Sequence, residues 1–489
     1  MCCYFVSMHF RARWKRRIRR VTAPVLSRTA TWTRRWRPHR STAEQLHRHR
    51  PNSPALAIVA GFFTALVIGT LLLMLPISKR GPGGADGLDA LFTATSSVCV
   101  TGLITVDTPT YWTGFGQVVI LALIQIGGFG VMAFSALLGV LLAGRLGLRA
   151  KIQVAQETKS AGLGHVGRVL VGVLKIGLLT EAVVAVLLAL RFFLGYGYAP
   201  ARAVWEGIFH AVSAFNNAGF ALYTDSLSGF VGDPWICLPI AAAVITGGLG
   251  FPVLFELRRQ YRRPARWSMH TKLVLSGSAL LLVVGTAFFT VVEWTNQATL
   301  AGLPTGQRFL AAFFQSVVSR TAGFNSIDIS QMHPVSWMGT DILMFIGGGP
   351  AGTAGGLKIT TFAVLFFILW TEIRGGAAVN IFGKRLSRSV HRQAITVVLL
   401  ALALIVISTM VLMFLSDFGQ ERLLFEVISA FGTVGLSTGI TAALPPAGQL
   451  ILVALMFIGR LGPVTLASAL ALRSRAPHYE YPKERPLIG

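Results

Sequence analysis

Four short segments of this 489-residue chain, SSVCVTGL (96–103), SAFNNAGF (213–220), VVSRTAGF (317–324) and SAFGTVGL (429–436), align without gaps on Gly102, Gly219, Gly323 and Gly435. The glycines are spaced by 117, 104 and 112 residues; three have a serine six positions earlier, and each is followed by Leu or Phe. A second set keeps step with the first: GGFG (127–130), GGLG (247–250), GGGP (347–350) and GRLG (459–462) begin 25, 28, 24 and 24 residues beyond the first glycine of their unit. Self-similarity at a period of about 110 residues means that one structural unit is built four times.

Composition decides the medium. The chain is 53% hydrophobic and 13% charged, where soluble domains carry about a quarter charged residues. Apolar runs at about 55–77, 116–143, 169–194, 235–257, 272–294, 336–373, 394–416 and 449–472 can each cross ~30 Å of hydrocarbon as a helix. The expected fold class is therefore an all-α integral membrane protein. The connections after the second, fourth and sixth runs are basic (Arg145, Arg149, Lys151, Lys159 and Arg168; Arg258, Arg259, Arg262, Arg263 and Arg266; Arg374, Lys384, Arg385, Arg388 and Arg392). The positive-inside rule then puts these loops and both termini in the cytoplasm of a bacterial-type cell membrane, with many passes.

Residues 1–50 hold fourteen Lys/Arg against one acid, Glu44. Such a block reads as a cytoplasmic extension facing solvent or anionic lipid; no nucleic-acid motif accompanies it. No apolar core followed by a small-residue cleavage site is present, so a removable signal peptide is not expected. Cys2, Cys3, Cys99 and Cys237 form no CxxC pair and suggest neither a metal site nor a disulfide framework. HExxH, GxSxG and Walker A motifs are missing, and an enzyme is not expected.

The other four connections pair a short apolar segment with a glycine and a polar stretch carrying Asp107, Asp225, Asp328, or Ser437 and Thr438. Polar, non-helical backbone survives at membrane depth only inside protein or beside water. These segments read as re-entrant pore loops, with short helices at about 88–98, 203–214, 307–317 and 420–430. The unit is helix, pore loop, helix, and four units predict a pseudo-fourfold pore. The expected division is a basic extension 1–50, repeats 51–143, 144–257, 258–373 and 374–472, and a cytoplasmic tail 473–489.

A dehydrated alkali cation needs several oxygen ligands in place of water, and rings of backbone carbonyls supply them without fixed charge. The candidate linings are Val100, Thr101 and Gly102; Asn217, Ala218 and Gly219; Thr321, Ala322 and Gly323; and Thr433, Val434 and Gly435. The negative C-terminal ends of the short helices would favour a cation there. Arg320, just before the third lining, is expected to point away and brace the loop against Asp328 or Glu426. Glu181, Glu206, Glu426 and His210 are read as packing or capping groups.

The sixth apolar run is about twice the crossing length and is interrupted by Gly347, Gly348, Gly349, Pro350, Gly352, Thr353, Gly355 and Gly356, so it should break just inside the pore. A polar plug there suits a gate. Lys358 closes the break, and Arg460 replaces the second motif glycine of the other units; an arginine at that depth marks function. It is expected to donate to carbonyls of the broken segment.

With both repeats, SRTAGFN (319–325) and GGGPAGTAGGLK (347–358), the chain from about residue 55 onward resembles the Trk/Ktr/HKT superfamily of potassium transporters. The KtrB branch is most similar, because an extra leading helix pair is missing and the ending YPKERPLIG (481–489) matches. The resemblance implies K+ uptake, often Na+-stimulated, by a homodimer in the lipid bilayer on a cytosolic KtrA-like RCK ring. It implies K+ bound at the linings and a gate at 347–356. Some relatives that favour Na+ have serine at the first filter glycine; Gly102 stands there in this chain and points to K+. The alternative is a less selective or Na+-permeable cation channel. No Rossmann glycine motif is present, so ATP or ADP control would come only through the separate subunit.

Overall fold

The computed structural model describes residues 54–145, 164–376 and 378–462. Its long helices are α1 (Pro54–Leu73), α3 (Gly114–Arg145), α4 (Gly164–Tyr196), α6 (Pro234–Leu249), α8 (Met269–Glu293), α12 (Arg388–Leu415) and α14 (Pro446–Leu461). Between them lie the short helices α2 (Gly87–Val98), α5 (Pro200–Phe215), α9 (Thr305–Val318) and α13 (Gln420–Gly432), at the four places the sequence assigns to pore loops. Helix α7 (Phe251–Gln260) follows α6, and α10 (Pro334–Phe345) and α11 (Ile359–Ile373) together occupy the sixth apolar run. A two-residue hairpin, β1 (Asn380–Ile381) with β2 (Lys384–Arg385), precedes α12. The extension 1–50, the basic residues Arg149, Lys151 and Lys159, the stretch 463–472 expected to finish the last helix, and the tail 473–489 lie outside the described residues.

Every expected span contains a helix. From Val171 onward α4, and α8 and α12 throughout, are long and apolar enough to cross a bilayer, and the α6–α7 pair adds a fourth by length and composition. Shorter apolar helices fill Val59–Leu73, Gly114–Gly130, Ile359–Ile373 and Pro446–Leu461. Leu194, Val291, Met410 and Phe414 are exposed along the long helices, as apolar residues are when the surroundings are hydrocarbon rather than water.

One expectation is corrected. The fourth span is not a single helix over 235–257: it bends by 99° at Gly250. Gly250 has φ +86° and ψ 143°, a region essentially reserved to glycine, and a Cβ there would press on the Pro350 carbonyl. The helix stops because its last carbonyls are needed elsewhere: Gly247 O accepts from Thr353 N at 3.1 Å and Gly248 O from Gly349 N at 2.7 Å.

The second glycine repeat is a packing device. Cβ atoms on Gly127, Gly247 and Gly459 would overlap the carbonyl oxygens of Val98, Phe215 and Phe431, each four residues before its loop glycine. A methyl group would push the short helix off its partner. Gly459→Ala is expected to destabilise the folded protein by about 1–3 kcal/mol, read as a lower thermal midpoint in detergent; an unchanged midpoint would contradict the close approach.

Candidate functional site

The short helices end on the four loop glycines, and the backbone there repeats an unusual conformation. Val100, Asn217, Thr321 and Thr433, at the same position of each unit, have φ of +56°, +59°, +73° and +49°, and Gly102, Gly219, Gly323 and Gly435 have +96°, +70°, +71° and +95°. Left-handed residues two apart are strained for all but glycine and persist only when the surroundings fix them. They turn the amides back toward each unit's own short helix. Thr101 N donates to Ser96 O at 2.8 Å, Ala218 N to Ser213 O at 2.7 Å, Ala322 N to Val318 O at 3.0 Å and Val434 N to Ser429 O at 2.9 Å.

The repeated serine has work here: Ser96 Oγ accepts from Gly102 N at 3.0 Å and Ser429 Oγ from Gly435 N at 3.1 Å, while Ser213 Oγ donates to Phe220 O at 2.8 Å. The third unit has Val317 instead, and Gly323 N reaches back to Val318 O at 3.4 Å. Ten of the twelve lining amides donate in this way, and the carbonyls of all twelve accept no hydrogen bond among the described residues.

The four segments touch in a closed cycle. A Cβ on Gly102 would meet the Ala218 carbonyl oxygen at 2.5 Å, and one on Gly219 that of Ala322 at 2.7 Å; on Gly323 it would press on the Val434 carbonyl and on Gly435 on that of Thr101. Glycine is therefore required twice over, by φ and by space. On one side of this ring opens a cavity of about 620 Å³, bounded by the four glycines together with Asp107, Asp225, Asp328 and Ser437. Asp107 is held by Thr110 at 2.5 Å and Thr224 at 3.0 Å, and Asp328 by Ser330.

On the other side lies the break between α10 and α11. A parallel bridge of Ile346 with Leu357 closes its neck, with Gly347 N donating to Leu357 O at 2.8 Å and Ile359 N to Gly348 O at 3.0 Å. The segment packs under the ring, where a Cβ on Gly355 would run into Thr433 Oγ1 and one on Gly356 would lie 3.0 Å from Gly432. Thr353 Oγ1 donates to Asn217 Oδ1 at 3.1 Å, and Asn217 Nδ2 to Thr321 Oγ1 at 3.3 Å. Arg460, 5% exposed, donates to the Thr353 carbonyl and, at 3.0 Å, to the Gly127 carbonyl. Lys358 Nζ donates to Ala354 O at 2.5 Å and Gly355 O at 3.3 Å, turning inward to the segment.

The structure thus gathers the sequence-named residues at two levels, the twelve lining residues at the ring and 347–358 with Arg460 beneath it. Arg320 does not pair with Asp328 or Glu426. It turns to α8, where it donates to Ser278 Oγ at 3.2 Å, because a side chain placed just before a left-handed residue at the ring points away from the axis. Glu426 instead accepts from Ser437, Thr438 and Thr441 and staples the chain beyond the fourth glycine. Sequence reasoning missed Gln125 and Asn216, which surround Glu181; their only signal was polarity in apolar runs. The break at Gly250 was signalled by GGLGFP (247–252).

Helices long and apolar enough to cross a bilayer, with four loops meeting at uncharged carbonyls, are the features of a multi-pass membrane protein. The family model for TrkH cation transport proteins matches residues 38–477, and the chain belongs to that family. It is 38% identical over 441 residues to Ktr system potassium uptake protein B of Bacillus subtilis, covering 89% of this chain and 97% of that one. The protein of the same name from Vibrio alginolyticus is 37% identical over 88% of this chain and 94% of its own. Potassium/sodium uptake protein NtpJ of Enterococcus hirae is 36% identical over 89% and 97%. The crystal structure of the potassium transporter TrkH from Vibrio parahaemolyticus shares the fold, with a TM-score of 0.68 at 18% identity over 87% of this chain and 86% of that one.

Proposed function

We propose that this chain is the membrane-spanning subunit of a potassium uptake system. Four helix–loop–helix repeats, 51–143, 144–257, 258–373 and 374–472, surround one pore in pseudo-fourfold fashion, and K+ exchanges its water for the carbonyls of the twelve ring residues. The observation that carries the reading is the repeated left-handed pair at Val100/Gly102, Asn217/Gly219, Thr321/Gly323 and Thr433/Gly435, which turns most of the lining amides back to the short helices and leaves the carbonyls free. Carbonyl dipoles and four helix C-termini stabilise a cation without binding it irreversibly.

Gly347–Gly356 is the gate. It blocks the path beneath the ring, held by Arg460, by the carbonyls at the end of α6 and by Lys358. Relatives named as parts of a Ktr system support work beside a further, regulatory subunit, and NtpJ's name supports a role for Na+; the homodimer on a cytosolic nucleotide-binding ring follows from the resemblance to the KtrB branch, and cytoplasmic termini from the basic connections.

The test is flux into proteoliposomes holding this chain, comparing K+, Rb+, Na+ and choline. K+ and Rb+ flux without choline flux is expected; equal flux of all four removes the ring as a filter. The acids at the cavity should raise the local cation concentration. Asp107→Asn, Asp225→Asn and Asp328→Asn together are expected to cut K+ flux several-fold at low ionic strength and little at high salt, as screening demands. A loss independent of salt would instead mean a structural role.

A further inference from the structure

Asn216 is the residue immediately before the second ring lining, and its side chain points outward. Its Nδ2 donates to Gln125 Oε1 at 2.8 Å, Glu181 Oε1 at 3.1 Å and Val212 O at 2.9 Å. Gln125 Nε2 in turn donates to both Glu181 oxygens, at 3.2 and 2.9 Å. Glu181 is 5% exposed and Asn216 fully buried, and among the described residues no cationic side chain pairs with this carboxylate. A carboxylate at this depth is expensive and is retained for a role.

The location limits that role. Glu181 stands on α4 and Gln125 on α3, so the cluster joins the second unit to the first. It lies behind the ring, one residue from Asn217, is no part of the cavity lining, and its side chains make no hydrogen bond to 347–358 among the described residues. The equivalent residues of the other units are Cys99, Arg320 and Gly432. Arg320 is tied to Ser278 on α8, the first helix of its own unit, while Cys99 is a free buried thiol and glycine offers no side chain at 432. At the residue just before the lining, a side chain tethers two of the four quarters, and among the described residues the second alone is tethered there through a carboxylate.

We propose that Glu181 is a positioning residue for ion discrimination: with Gln125 it fixes Asn216, and so holds the carbonyls of Asn217 and Ala218 at the spacing that favours K+ over Na+. This rests on the ring being the filter. Asn217 and Gly219 both turn left-handed, with φ of +59° and +70°, a conformation asparagine tolerates better than most residues but one that, twice within three residues, needs its surroundings to stay put. The side-chain amides of Gln125 and Asn216 make three hydrogen bonds to Glu181, and a buried donor that loses its acceptor is costly to leave unpaired. Without them, the second quarter relaxes and the cage tolerates the smaller, more strongly hydrated ion.

The experiment measures the K+/Na+ flux ratio in proteoliposomes for the parent, Glu181→Ala and Glu181→Gln, with Gly102→Ser alongside. Glu181→Ala is expected to lower the ratio about tenfold, the order of effect of one buried donor left without its acceptor. Glu181→Gln keeps an acceptor for Asn216 and should stay within about twofold of the parent. A merely structural glutamate would lower total flux or yield with the ratio unchanged, and that result overturns the proposal; so does an equal loss in Glu181→Gln, which would make charge and not geometry the cause. If Gly102→Ser also leaves the ratio unchanged, the filter reading has failed; if it alone shifts the ratio, only the role of Glu181 has. Should Glu181→Ala not fold, Asn216→Ala cuts the same tether at the ring and is judged by the same two outcomes.

Discussion

Exchange of Gly102 for serine is expected to lower the preference for K+ over Na+ by about tenfold or more, each factor of ten being about 1.4 kcal/mol. Two terms act together. Gly102 has φ +96°, which an L-residue adopts only at a cost of about 1–3 kcal/mol, and its Cβ would sit 2.5 Å from the Ala218 carbonyl oxygen and 3.2 Å from the Gly219 Cα. The strain is relieved by moving the first quarter of the ring, the second, or both, and either shift enlarges the cage on one side. The serine hydroxyl also brings an oxygen that can hold a water molecule on the ion, which suits Na+. Flux ratios from paired K+ and Na+ gradients decide the matter. An unaltered ratio in a folded Gly102→Ser protein would take Gly102 out of the filter.

Removal of the guanidinium of Arg460 is expected to raise flux in the absence of any regulatory partner by about tenfold or more. Its bond to the Thr353 carbonyl ties α14 to the segment under the ring, and a charged hydrogen bond in a buried setting contributes about 1.5–3 kcal/mol. If that bond exists only while the segment blocks the path, losing it shifts the closed-to-open ratio by one to two factors of ten. The Gly127 bond joins two helices and is unaffected by the position of the segment. Arg460→Lys retains the charge but one donor geometry fewer and should fall between. The check is basal K+ flux of Arg460→Ala, Arg460→Lys and the parent at matched protein density; equal fluxes would place the barrier elsewhere.

Much of this architecture was legible along the chain because repetition multiplies a weak signal. A single GF or GL dipeptide means little, whereas Gly102, Gly219, Gly323 and Gly435 in register, each followed at 24–28 residues by a second motif, locate both the short helices and the helices that receive them. Apolar length located the spans, and glycine density located the break between α10 and α11. What stayed hidden were relations between units. The bend at Gly250 serves the segment about a hundred residues later, Arg320 found Ser278 and not an acid, and Gln125 and Glu181 on two helices converge with Asn216 at the end of a third.

The sequence by itself determined the medium, the places of the four short helices and the residues that must be glycine, because hydropathy and backbone permissiveness are properties of single residues and their spacing. Tertiary structure alone decided which carbonyls face which: that the lining amides turn back to their own helices, that each loop glycine abuts the carbonyl of the next unit, and that Arg460 reaches Thr353 across 107 residues of chain. Those outcomes depend on packing and hydrogen-bond competition among elements far apart in sequence, and no local pattern encodes them.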